Sequence, residues 1–141
     1  MNVTYNTFRK MNMKKQSLTE ISERISVPLS AIASPQRIAI LIAIGTGEAC
    51  VCHLETTLGW RQAYISQHLM SLRKADILLD RREGRYVFYR LKDASLLDLV
   101  TATARLSGIS TETVSTLINT QFYPSCECPQ CSPILIPTSS L

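Results

Sequence analysis

Long apolar runs are missing from this 141-residue chain. The longest, Ile38-Ala39-Ile40-Leu41-Ile42-Ala43-Ile44, falls well short of the roughly 18 residues that a membrane span needs. It reads as a buried helix, and no membrane partner is expected. Met1 to Gln16 is polar and basic, without the apolar stretch of a signal peptide. The expected location is therefore the cytoplasm, where thiols stay reduced. Paired carboxylates, a Ser-His-Asp set and a Gly-rich phosphate loop are also missing. Their absence argues against an enzyme and against a small-molecule substrate. Neither an internal repeat nor a second domain is visible.

What is present is ordinary in bulk and particular in detail. Hydrophobic residues make up 45% of the chain, which suits a globular protein and not a disordered one. The net charge of +4 favours nucleic acid or an anionic surface, although such a bias is weak by itself. The five cysteines fall in two clusters, Cys50 and Cys52, then Cys126, Cys128 and Cys131. An odd number of thiols in a reducing compartment points to metal or redox chemistry and away from a disulfide framework.

The pattern along the chain predicts helices joined to one hairpin. Residues 1–17 read as a loose arm. A first helix is expected from Thr19, capped by Ser17 or Thr19, with Glu20 and Glu23 in its first turn and Ile21, Ile25 and Leu29 at helical spacing. Ser34-Pro35 announces a second helix to Ile44, apolar nearly all round. A third helix is expected over Cys50 to Leu58. After the turn Gly59-Trp60-Arg61, a fourth runs from Gln62 to Ala75 with Ile65, Leu69 and Leu72 on one face. Two short helices across a tight Gly-containing turn make a helix-turn-helix.

Ile77 to Asp80 and Tyr86 to Leu91 read as two strands, and Arg81-Arg82-Glu83-Gly84-Arg85 as the hairpin tip with Gly84 at positive φ. A fifth helix covers Ala94 to Leu106 and ends at Gly108. Ser110 to Asn119 reads as one more short helix. Pro124 to Leu141 holds four of the six prolines and reads as an irregular tail. The fold class is thus mainly α with a β-hairpin wing, a winged helix-turn-helix. Residues 18–108 form the domain and 109–141 a cysteine-bearing extension.

A helix in the major groove needs short or flexible hydrogen-bonding side chains near its start. Gln62, Tyr64, Ser66 and Gln67 meet that need, and Ala63 can touch a thymine methyl. Arg73 and Lys74 sit where phosphate contact is expected. His68 lies nearer the apolar face, which favours packing or phosphate over base readout. Arg81, Arg82 and Arg85 give the hairpin tip a basic character suited to phosphates or the minor groove. Double-stranded DNA is the expected partner.

These segments carry a family resemblance. Ala33-Ser34-Pro35-Gln36-Arg37-Ile38, Cys50-Val51-Cys52-His53-Leu54, Ile65-Ser66-Gln67-His68-Leu69 with Leu72-Arg73, and Arg82 to Leu91 resemble the ArsR/SmtB family of metal-responsive repressors. The resemblance runs from Leu18 to Leu106. It implies a homodimer built on the first and last core helices, a palindromic operator, and release by an inducer. The apolar Leu96, Leu97 and Val100 face fits such a dimer. The zinc site that the family builds on its last dimer helix is not expected, because Asp98 has no histidine after it.

Cys50-Val51-Cys52 resembles the family's arsenic- and cadmium-sensing Cys-Val-Cys motif. Thiols at a helix N-terminus are expected to ionise more readily. On an ideal helix i and i+2 point about 200° apart, so shared binding is expected to require a distorted first turn, which would displace the reading helix. Two sulfurs do not complete a soft-ion site: arsenite-type ions take three, and cadmium or zinc prefer four ligands. Some family members place a third cysteine just after the pair, where this chain has Glu55. The missing sulfur must come from Cys126, Cys128 or Cys131, from the same chain or from its partner, with His53 a lesser nitrogen candidate. The expected inducer is arsenite or antimonite, As(III) or Sb(III), then Cd(II), Pb(II) or Zn(II). Other readings stay open: Cys50 as mere packing, Cys128-Pro129-Gln130-Cys131 as a redox pair or separate metal knuckle, a thiol redox or persulfide sensor, and a winged helix reused for protein interaction.

Overall fold

Ser17 accepts a hydrogen bond from Glu20 N–H at 3.2 Å and so starts α1 (Leu18–Ile32), one residue ahead of the expected Thr19. The computed structural model describes residues 17–119 and Cys128. Glu20 sits in the first turn, where the helix dipole favours an anion, and α1 continues through Pro28. α2 (Pro35–Ile44) opens with proline as expected, since its fixed φ suits a first turn that has no use for its N–H. Ser34 extends as N-cap, but its hydroxyl donates to Gln36 Oε1 at 2.8 Å and caps no amide. Ile40, Leu41 and Ile44 are wholly buried, which makes α2 the central core helix.

β1 (Ala49–Cys50), a strand the sequence did not announce, precedes α3 (Val51–Leu58). α3 therefore begins one residue after Cys50. Gly59 then turns at φ +68° and α4 (Gln62–Lys74) follows. Ile65, Leu69 and Leu72 are fully buried on the core face of α4. Burying three such side chains stabilises the docked helix by about 1.5–3 kcal/mol each, which fixes the opposite face towards solvent.

β2 (Leu78–Glu83) and β3 (Tyr86–Leu91) form the wing. The strands are longer than the sequence suggested: Arg81 and Arg82 belong to β2, leaving Gly84-Arg85 as the turn. Gly84 has φ +58°, and a Cβ there would meet nothing within 4 Å, so backbone conformation and not space selects glycine. The sheet has three strands in the order β1-β3-β2, all antiparallel. Cys50 lies opposite Phe88, and Phe88 lies opposite Arg81.

α5 (Ser95–Leu106) and α6 (Thr111–Asn119) complete the described chain. Ser110 caps α6 by accepting from Thr113 N–H at 3.1 Å. Val114 and Ile118 of α6 bury Leu97 and pack beside Ile42 and Ala104. Leu96, Leu97 and Val100 are thus buried within their own chain, against the expectation that they form a free dimer face. The exposed apolar surface instead centres on α1, at Leu18, Ile21, Ile25, Val27 and Leu29, with Leu106 and Leu117 nearby in type. Among the described residues no single helix is long and apolar enough to cross a membrane.

Candidate metal centre and nucleic-acid interface

The outer face of α4 presents Gln62, Ala63, Gln67 and Lys74 to solvent, with Ser66 half-buried. Tyr64 is exposed at its rim, while its ring meets Trp60 edge-on at 5.6 Å and His68 at 4.8 Å. His68 therefore packs; its Nε2 is buried without a hydrogen-bond partner among the described residues. Arg73 pairs with Asp80 through Nε at 3.2 Å, which ties the end of α4 to β2.

The three wing arginines differ in their surroundings. Arg82 is exposed, with no ion pair among the described residues. Arg85 lies over the Tyr86 ring, 5.4 Å from its centroid. Arg81 is engaged by Glu48 through Nε at 3.1 Å and Nη2 at 2.8 Å, and by Glu83 through Nη1 at 2.9 Å. Those two carboxylates hold its guanidinium still more basic than usual, Glu48 foremost.

The cysteines converge. Cys50 ends β1 in an extended conformation (φ −84°, ψ 168°), and its sulfur turns over the start of α3 to accept from His53 N–H at 3.4 Å. Cys52, in the first turn, brings its sulfur to 2.6 Å from that of Cys50. No unwinding is required, because Cys50 is the N-cap and not part of the helix. The expected distortion of the first turn is thereby corrected. Cys128 of the same chain adds the third sulfur. All three lie within 4.8 Å of one another, with Cys50 and Cys128 buried and Cys52 half-buried. Phe88 is buried against Cys50 and Cys128, and Tyr86 lies at the margin. Cys126 and Cys131 lie outside the described residues.

Burial pushes the Cys50 thiol well above the usual thiol range; hydrogen bonding with Cys52 adds to this and the His53 amide opposes it. The expectation of an acidified thiol fails because desolvation outweighs one helix amide. His53 is buried too, and burial lowers its pKa to about 4, but it does not join the sulfur group. Among the described residues no carboxylate does so either. Among the described residues the donor set is therefore purely soft, the kind that suits a thiophilic ion.

Sequence reasoning missed Phe88, Tyr86 and Glu48 as neighbours of these groups. The period-2 alternation of Tyr86-Val87-Phe88 was readable and puts Tyr86 and Phe88 on one face. Nothing local signals that a two-residue strand would dock Cys50 there.

A helix-turn-helix whose reading helix stands beside a β-wing defines a winged-helix DNA-binding fold. The family described as bacterial regulatory protein, arsR family, matches residues 34–78. Nodulation protein NolR of Rhizobium meliloti is 31% identical over 86 residues, covering 61% of this chain and 70% of that protein. Reaching across most of its fold, HlyU of Vibrio cholerae superimposes with a TM-score of 0.56 at 31% identity, covering 67% of this chain and 97% of that one. The chain belongs to the ArsR family of bacterial transcriptional regulators. The arsenic resistance transcriptional regulator ArsR1 of Pseudomonas putida is 53% identical over 55 residues, which cover 39% of this chain. The chain spans about half the length of the arsenic-resistance relatives it matches, 42% for this one and 52% for the Escherichia coli arsenical resistance operon repressor.

Proposed function

We propose that the chain is a homodimeric, DNA-binding transcriptional repressor released from its operator when arsenite or antimonite binds Cys50, Cys52 and Cys128. The observation that carries this reading is the meeting of three sulfurs, two of them buried, between the reading helix's partner α3 and the wing. Three thiolates suit a pyramidal As(III) or Sb(III) ion. Cadmium or zinc would call for a further ligand, for which Cys126 and Cys131 are the candidates. The similarity to arsenic-resistance regulators points the same way.

DNA contact is assigned to Gln62, Ala63, Tyr64, Ser66 and Gln67 in the major groove, and to Arg73, Lys74, Arg82 and Arg85 on phosphates. The exposed apolar residues of α1 supply the dimer face. When bound, the ion supplies one soft Lewis-acidic centre shared by three sulfurs. The chain's own part is to hold Cys50 by the His53 amide, to exclude water with Phe88, and to link this region to both DNA-reading elements.

The test is titration of the reduced protein with each ion, following sulfur-to-metal charge-transfer absorption and operator release together. One As(III) per chain with matching release is expected. Release by oxidant alone would replace this reading with a thiol redox sensor, for which the close Cys50 and Cys52 sulfurs are the relevant pair. Absence of salt-sensitive operator binding would leave an interaction module.

A further inference from the structure

One row of side chains crosses the sheet. Cys50 stands opposite Phe88, and Phe88 stands opposite Arg81. Residues directly opposite on antiparallel strands project from the same face. The Phe88 ring is buried on one side by Cys50 and Cys128. On another, the Arg81 guanidinium carbon lies 4.8 Å from its centroid. Arg81 is also held by both oxygens of Glu48, at 3.4 Å and 3.1 Å from Nε. Glu48 stands two residues before Cys50. Arg81 therefore touches the wing strand it belongs to, the ring that covers the sulfurs, and the segment that leads into them.

We propose that Phe88, Arg81 and Glu48 form the coupling element that carries the state of the thiol site to the wing. Arg81 is on this view a positioning residue, and not a phosphate contact like Arg82 and Arg85. The proposal deepens the reading above and rests on it. Phe88 packs against two of the three sulfurs, so a change in their separation must be taken up by its ring, because close-packed interiors deform by discrete repacking. A displaced ring changes the seat of Arg81 and its hold on Glu48. β2 then meets β1 differently, and the Gly84-Arg85 turn, three residues along the same ribbon, changes its aim. A plain surface ion pair would do none of this. It would contribute little to stability, and removing it would leave regulation intact.

The experiment uses full-length reduced protein and arsenite, with three readouts: arsenite affinity without DNA, operator affinity without arsenite, and operator affinity at saturating arsenite. The ratio of the last two is the coupling factor, which in regulated proteins runs from about 5-fold to 150-fold. Arg81→Gln and Glu48→Gln should each leave arsenite affinity and thermal midpoint near wild type, yet reduce the coupling factor to below about 2-fold. The two variants change net charge in opposite directions, so a shared loss cannot come from long-range attraction to DNA. If Arg81→Gln instead weakens ion-free operator binding, lowers the salt slope by about 1 and keeps the coupling factor, Arg81 is a phosphate contact and the proposal fails. If wild type responds and Glu48→Gln responds equally, the proposal fails alone. If wild-type protein ignores arsenite, the underlying reading fails with it.

Discussion

Replacing Cys50 separates its structural role from its chemistry. Its sulfur caps α3 by accepting from His53 N–H at 3.4 Å, and the residue is 2% exposed. Cys50→Ala removes the cap, a loss of about 1 kcal/mol. It also opens a void beside Phe88 and Cys128, and a methyl-sized void costs ~1 kcal/mol more. The sum is roughly 2 kcal/mol. Cys50→Ser keeps an acceptor, and serine is among the preferred N-cap residues, so only the apolar part of the loss remains, about 1 kcal/mol. The serine variant should therefore be the more stable by ~1 kcal/mol, which in a domain of this size moves the thermal midpoint by about 4–8 °C. Circular-dichroism melts under reductant check the order. All three proteins must be compared at one concentration, since the midpoint of a dimer moves with concentration. A serine variant that melts below the alanine variant would refute the capping role. Equal midpoints would show that the sulfur's hydrogen bond adds nothing.

Cys52→Ser and Cys128→Ser should each bind operator like wild type but fail to release it with arsenite; retained release by the Cys128 variant would remove the tail from the site. Arg82→Ala and Arg85→Ala should each weaken operator binding across sequences and lower the salt slope by about 1, measured by titration at several salt concentrations. Gln67→Ala should lose discrimination at a single base pair, by about 1–3 kcal/mol, read from a panel of operator variants. Ile25→Asp, on the exposed apolar stretch of α1, should shift sedimentation from dimer to monomer while the helical signal is kept; an unchanged dimer would move the interface elsewhere.

Strongly periodic segments were legible in the sequence, and local chain reversals less so. Ser34-Pro35 opened α2 as read, and Ile65, Leu69 and Leu72 faced the core as read, because burial of an apolar stripe dominates such helices. Gly84 took the positive φ expected of it. The family's fold followed from these elements and their order. What escaped was set by tertiary contact. β1 has two residues and exists only because β3 pairs with it. That pairing lifted Cys50 out of α3 and buried it, reversing both the expected distortion and the expected acidity. Leu97 read as part of a dimer face because no local pattern says that α6 folds back over α5. The meeting of Cys128 with Cys50 and Cys52, 76 residues apart at the nearest, was reachable only as a chemical need: two sulfurs are too few for a soft ion.

Two routes lead from the thiol site to DNA, and their energetics differ. One would shift α3 and, through it, α4. That route shifts Leu54, Ile65 and Leu69, all essentially without solvent exposure, so three close-packed core side chains must repack together. A coupling free energy of about 1–3 kcal/mol favours the path with less core packing to disturb. The other route runs through Phe88 to Arg81 and Glu48, whose side chains are 45% and 22% exposed, so that Phe88 is the one fully buried side chain on that path. A ligand can shift an equilibrium only by its differential affinity for the two states, so the softer connection is the one that a single trithiolate site can switch. On this proposal the reading helix keeps its docking on the core in both states, and the wing's aim on the backbone is what changes. The site is coupled to the wing, on the same proposal, because Cys50 lies on the edge strand β1, paired with Phe88 of the central strand β3, as well as at the start of α3.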